Sequence, residues 1–229
     1  MVQFINTLKG VVIAPGPTLG REMGQKRWIT AFLLVVLTVF IITAVTAPAR
    51  LEAGREWVKD SPIADYLDEE QLGEIQRMSG IRLVWAGLWA VFITTLGLII
   101  STFFIYVFFG IAGAEGTYVN YFSLVSHAAL IGTVFPALLG TVSLMGGVHL
   151  IRFTNLAGWL QGAHGSLSQI ALSQVDLFTL WTLVAVALGV AHFARMSVRR
   201  ALTVAALYFV FSAAVKSAFA YIAIRIITG

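Results

Sequence analysis

The sequence predicts an all-α, polytopic membrane protein: a five-helix transmembrane bundle with an interfacial N-terminal helix and a short outer-loop helix. Of its 229 residues, 59% are hydrophobic and only 11% are charged, whereas soluble domains average about 45–50% and about 25%. Five stretches are apolar over the length that a helix needs to cross a bilayer core of about 30 Å. The alternation of polar and apolar residues that is typical of a membrane β-barrel does not occur. This composition excludes a soluble enzyme, a nucleic-acid-binding domain and a disordered chain.

Residues 1–27 are predicted to form a cytoplasmic or interfacial N-terminal segment. Residues 2–13 are apolar on one helical face, and Pro15-Gly16-Pro17 should end the helix because proline cannot continue it. A helix of this length is too short to span the membrane. We therefore expect it to lie in the membrane interface.

Residues 28–229 are predicted to form the membrane domain. Its five spans cover residues 28–45, 83–109, 124–150, 177–193 and 201–227. Pro136 should kink the third span, because its ring removes a helical hydrogen bond. Such a kink either opens a cavity or fits the helix to a curved neighbour.

Two loops connect the spans on the side predicted to be outside. The loop 49–82 contains a short amphipathic helix that begins after Asp68, with Leu72, Ile75 and Met78 on one face. The loop 152–176 is too apolar for an ordinary water-exposed loop, and we expect it to dip into the interface with Trp159 as an aromatic anchor.

Positive charges predict the orientation of the chain. Lys and Arg residues precede the first span and also fill the turn between the fourth and fifth spans, at Arg195, Arg199 and Arg200. Both groups fall on one side of a five-span topology, and the positive-inside rule makes that side cytoplasmic. The prediction is a multi-pass plasma membrane protein of the bacterial inner membrane, with its N-terminus cytoplasmic and its C-terminus outside. The pI of about 9.6 then needs no nucleic-acid partner.

Motifs of membrane-embedded catalysis do not occur in the sequence. It has no His-Glu-x-x-His, no Gly-x-Ser-x-Gly and no Walker A loop, and its 229 residues include no cysteine. Its four histidines form no i, i+4 pair that would preform a metal site. We therefore predict no catalytic residues, no metal and no cofactor, and a protein that is not an enzyme.

Two charged residues predict an intramembrane ion pair. A tight basic turn joins the fourth and fifth spans, and folding this hairpin about Ser197 places Asp176 opposite Ala218, close to Lys216. A charged group inside a span is a functional candidate because it is costly to bury. The alternative is that Lys216 is an anchor whose side chain extends to the interface. Replacing Asp176 by asparagine and measuring the yield of folded protein tests the pair.

Two further stretches resemble a known family. The first is Gly113-Ala114-Glu115-Gly116-Thr117-Tyr118, and the second is Asp176-Leu177-Phe178-Thr179-Leu180-Trp181. Together they resemble the Yip-one (Ypt/Rab-interacting protein) domain family in its bacterial branch, over most of the chain from Phe4 to about Phe211. The resemblance makes Gly113, Glu115, Gly116, Phe178 and Trp181 possible motif residues.

The resemblance implies a five-helix bundle with a cytoplasmic N-terminus, which agrees with the predicted topology. The Asp-Leu-Tyr-Gly-Pro-like motif of eukaryotic members does not occur in this sequence, so the resemblance does not extend to Rab-type GTPase binding. Some bacterial members accompany ABC-type export systems.

The function that these observations predict is a non-enzymatic scaffold or accessory subunit in membrane organisation or of a transport complex. Its partners would be the lipid bilayer and a membrane protein or a second copy of the chain. The alternative is a small-molecule or ion transporter or channel, with a cavity near Lys216 and Pro136. An intramembrane enzyme acting on lipid has the least support.

Overall fold

A computed structural model describes residues 2–59, 80–146, 154, 156 and 167–228. Those residues form helices and short connections, with no strand among them. The helices are α1 (Val2–Ile13), α2 (Pro15–Gln25), α3 (Ile29–Lys59), α4 (Gly80–Ile111), α5 (Tyr118–Ala129), α6 (Phe135–Gly146), α7 (Leu167–Ser173), α8 (Leu177–Phe193) and α9 (Val198–Thr228).

The length and the hydropathy of the helices confirm the predicted all-α membrane fold. Within the described residues, four helical stretches are long and apolar enough to cross a membrane: Ile29–Ala47, Val84–Ile111, Tyr118–Ser143 and Val198–Ile222. The fourth predicted span, residues 177–193, is the shorter apolar helix α8, whose 17 residues meet the lower limit of about 17 for a spanning helix.

Several helix ends differ from the predicted boundaries. The helix α3 continues to Lys59 and α4 already begins at Gly80, so both extend into the predicted loop 49–82. Leucine, alanine, glutamate and arginine after Pro48 are good helix formers, so the end of the apolar run does not end the helix. The predicted helix after Asp68 and the anchor Trp159 lie outside the described residues.

The third span begins earlier than predicted and is interrupted. The helix α5 starts at Tyr118, a π-helical turn follows at Leu130–Val134, and α6 begins at Phe135. Pro136 stands at the start of α6, where its missing N–H removes one helical hydrogen bond. An extra residue in the preceding turn is one way in which a helix accommodates such a gap.

The helix α2 was not predicted from the sequence. α1 ends at Ile13, before Pro15 as expected, but Pro15 then occupies the first position of a new helix. Proline is favoured there because the first N–H of a helix needs no intrahelical partner. The backbone folds back so sharply that a Cβ built on Gly10 would lie 2.5 Å from Oγ1 of Thr18. The interfacial position of α1 stays a prediction.

The helix α2 packs into the bundle and forms part of the core. Leu19 and Met23 are fully buried. A Cβ built on Gly16 would meet the Leu188 carbonyl oxygen at 3.4 Å, and one on Gly189 would meet Cβ of Leu19 at 2.8 Å. Glycines on both helices therefore let the backbones of α2 and α8 approach closely. The helices α2 and α8 finish, and the helices α5 and α9 begin, on the same side of the bundle. We call this side of the bundle the α2 end.

Candidate functional sites

A buried carboxylate joins α2 to α5. Glu22 is 4% exposed and His127 is 3% exposed. Nε2 of His127 lies 3.8 Å from Oε2 of Glu22, and Arg21 Nη2 lies 3.4 Å from Oε1. A carboxylate is rarely buried unless it is paired. These contacts therefore place a pair of titratable side chains in the interior of the bundle near its α2 end.

The hydrogen bond of His127 determines which of its ring nitrogens carries a proton. Nδ1 of His127 is 2.8 Å from the Ser123 carbonyl oxygen, and because a carbonyl can only accept, Nδ1 must donate. The neutral ring then presents an unprotonated Nε2 to Glu22. At 3.8 Å, the contact between Nε2 of His127 and Oε2 of Glu22 is longer than a hydrogen bond, so the two side chains are neighbours without a direct hydrogen bond.

Hydrogen bonds from α5 side chains to α2 backbone carbonyls also join these two helices. Nδ2 of Asn120 donates to the Met23 carbonyl at 2.7 Å, and Ser123 Oγ donates to the Glu22 carbonyl at 2.8 Å. Both carbonyls belong to the last turn of α2, which has no intrahelical donors for them. The side chains of α5 thus act as the C-terminal cap of α2, and this polar cluster is used to dock a helix.

Sequence reasoning missed Glu22 because α2 itself was not predicted. Glu22 is the single acidic residue of the otherwise basic segment 1–27, and that contrast is the feature that could have singled it out. His127 belongs to no i, i+4 histidine pair, and its side chain instead contacts Ser123 and Glu22.

A cavity of about 220 Å³ lies between α4, α5, α8 and α9. Apolar side chains supply part of its wall, and the hydroxyl groups of Tyr208 and Ser101 share a hydrogen bond there. The polar side chains that line it are Ser101, Thr133, Thr179, Thr182, Tyr208, Ser212 and Lys216. Within the part of the chain that the structure describes, no carboxylate belongs to this lining.

The cavity is closed toward the α2 end. One helical turn beyond the lining residues Ile105, Val125 and Val186 stand Phe109, Tyr121 and Val190, each at most 1% exposed. These side chains pack in the core between the cavity and the α2 end. The described interior is therefore a pocket that is closed at one end.

Asp176 and Lys216 have different surroundings. Oδ1 of Asp176 accepts from the backbone N–H groups of Phe178 and Thr179 at 2.9 and 3.0 Å, so it is the N-cap of α8. Lys216 lines the mouth of the cavity and is exposed. Among the side chains that the structure describes, which do not include those of residues 48–59 and 223–228, the ion pairs within 4 Å are the two of Glu22. The Asp176–Lys216 pair stays a prediction.

The possible motif residues fall into two places. Gly113 and Gly116, with φ of +77° and +136°, form the turn between α4 and α5. Such angles favour glycine, and Glu115 between them is exposed. Phe178 and Trp181 line an apolar groove of about 260 Å³ that they share with Val12 of α1. The structure therefore separates the two stretches.

Metal ligands do not cluster in the described residues, where no three His, Asp or Glu side chains come together. The α2 end is basic instead. Its exposed cations are Arg21, Lys26, Arg27, Arg195, Arg199 and Arg200.

Comparison with known proteins supplies the family. The model of the Yip1 domain matches residues 9–218, which include α2, the buried Glu22–His127 pair and the cavity. The chain belongs to the Yip1 domain family. Searches of the curated proteins and of the solved structures returned no match. The Yip1 domain here is thus an integral membrane bundle into which α2 is packed, and the match extends to Lys216 and Ser217 at its C-terminal edge.

Proposed function

We propose that this Yip1-domain protein is a non-enzymatic scaffold or accessory subunit in the membrane, which acts by packing against a membrane-protein partner or a second copy. The closed interior is the observation that supports this role. Fully buried side chains fill the bundle beyond the cavity, and the buried polar groups near the α2 end fasten α2 to α5. A conduction path would instead need polar groups along its whole length.

The proposed orientation places the α2 end in the cytoplasm of a bacterium. Its exposed Arg and Lys residues support this, because positive charge near the ends of spans is retained on the cytoplasmic side. The C-terminus, after the odd number of crossings, is then outside. An impermeant thiol reagent should label a cysteine that replaces Arg199 in this cysteine-free chain only after the membrane is opened. Labelling in intact cells would show that the α2 end faces the outside, which contradicts the proposed orientation.

Transport is the second candidate, and the cavity with Lys216 in its wall supports it. One variant distinguishes the two functions. Lys216→Met keeps the length of the side chain and removes its charge.

For the scaffold, we expect the protein extracted in mild detergent to form a complex of fixed stoichiometry, visible by native mass spectrometry. Lys216→Met should leave this complex unchanged, and proteoliposomes should pass anions no faster than protein-free liposomes. The result that supports transport is different. It is a monomeric protein that carries an anion flux, together with loss of this flux in Lys216→Met.

A further inference from the structure

The cavity wall has the donors that an oxyanion requires. Lys216 contributes an ammonium group, and Thr133 and Thr179 contribute hydroxyl groups from two other helical segments. The hydroxyl group of Ser212, on the same helix as Lys216, donates to the Phe209 carbonyl oxygen. Lysine binds phosphate oxygens as a point charge, and hydroxyl side chains bind them as hydrogen-bond donors. Because no carboxylate of the described residues shares this wall, its charge complements an anion.

The gap between α4 and α9 opens beside Lys216. Ring contacts join these antiparallel helices at Phe108–Tyr208 and Phe104–Phe211, with centroids 5.9 and 5.1 Å apart. One and two turns further from the α2 end, α4 presents Ser101 and Gly97, at the level that α9 reaches at Lys216. A Cβ built on Gly97 would meet nothing within 4 Å among the described residues.

The position of this gap favours a ligand that comes from the bilayer. The span of Lys216 begins at Val198 at the α2 end, and Lys216 stands about 27 Å along it, at about 1.5 Å per helical residue. The hydrocarbon core is about 30 Å thick, so the long side chain of Lys216 can extend toward the headgroups of the leaflet opposite the α2 end. A cavity of about 220 Å³ exceeds the roughly 30 Å³ that one water occupies, and has room for a phosphate with its glycerol.

We propose that the cavity binds the phosphate of an anionic phospholipid, which enters sideways between α4 and α9 and is held by Lys216 and the cavity hydroxyls. Basic pockets between membrane helices are known to bind anionic headgroups.

The test is a binding titration of the full chain in detergent, with short-chain phosphatidylglycerol, short-chain phosphatidylcholine and inorganic phosphate as probes. We expect phosphatidylglycerol to bind more tightly than the other two probes. Lys216→Met should weaken its binding about tenfold, because a charge-assisted hydrogen bond is lost.

Two glycines of α4 provide a matched pair of variants that does not depend on Lys216. Neither Gly97 nor Gly110 has an atom within 4 Å of a built Cβ among the described residues, so leucine fits at both positions and should favour the helix. Gly97→Leu should block the gap and weaken phosphatidylglycerol binding, whereas Gly110→Leu, in the last turn of α4, should leave it unchanged.

Equal affinities in the wild type, Lys216→Met and Gly97→Leu would overturn the proposal. Equally tight binding of inorganic phosphate, insensitive to Gly97→Leu, would also overturn it and would assign the cavity to a soluble anion. Thermal unfolding in the same detergent checks that each variant is folded.

Discussion

His127→Leu is expected to lower the free energy of unfolding by about 3 kcal/mol, because it leaves the buried Glu22 carboxylate without its histidine neighbour and the Ser123 carbonyl without its side-chain donor. The substitution leaves the Glu22 side chain, which is 5% exposed, with Arg21 at 3.4 Å as its one remaining ion-pair partner in the described residues. The measurement is unfolding of the purified protein in mixed micelles.

A second substitution should reverse part of this loss. In the double variant Glu22→Gln/His127→Leu the buried charge is gone, so the double variant should be more stable than His127→Leu alone. The matched controls are His192→Leu and Glu115→Gln, whose wild-type side chains are exposed and whose replacement should change stability by less than about 0.5 kcal/mol. A double variant that is no more stable than His127→Leu alone would show that Glu22 and His127 do not act as a pair.

Gly189→Leu is expected to displace α2 from the bundle. A Cβ at position 189 would lie 2.6 Å from Cδ1 of Leu124 and 2.8 Å from Cβ of Leu19, so a leucine there cannot fit without moving α2. Overpacking of this kind costs about 1–3 kcal/mol, and we expect the upper end because the contact with Leu19 is close to its backbone.

The displacement can be measured directly because the chain contains no cysteine. A cysteine that replaces Leu19, which is fully buried, should resist a thiol reagent in the parent protein and react in the Gly189→Leu background. Gly110→Leu is the control, since its site has open space. Unchanged labelling in Gly189→Leu would mean that α2 does not depend on its close approach to α8.

The membrane-spanning helices could be predicted because their evidence is local. Runs of apolar residues determine a spanning helix whatever its neighbours are, and α4 and α9 agree with their predicted spans to within a few residues at most ends. The end of α3 could not be predicted in the same way, because a helix can continue after its apolar run into residues of good helix propensity.

The candidate sites depended on contacts between distant residues. Lys216 was singled out because a charge in an apolar run is visible in the sequence, but the cavity beside it requires hydroxyl groups from four helical segments that are far apart in the chain. Glu22 was missed for a related reason, since its importance comes from burial against α5, about a hundred residues later.

The sequence by itself determined the all-helical membrane fold and the basic character of one end, since both follow from the composition of continuous segments. Only the tertiary structure decided that α2 packs inside the bundle, with Glu22 beside His127 and glycines in contact with α8. The physical reason is that a short helix with few apolar residues gains its stability from the helices it packs against. Those helices come together only when the whole chain has folded.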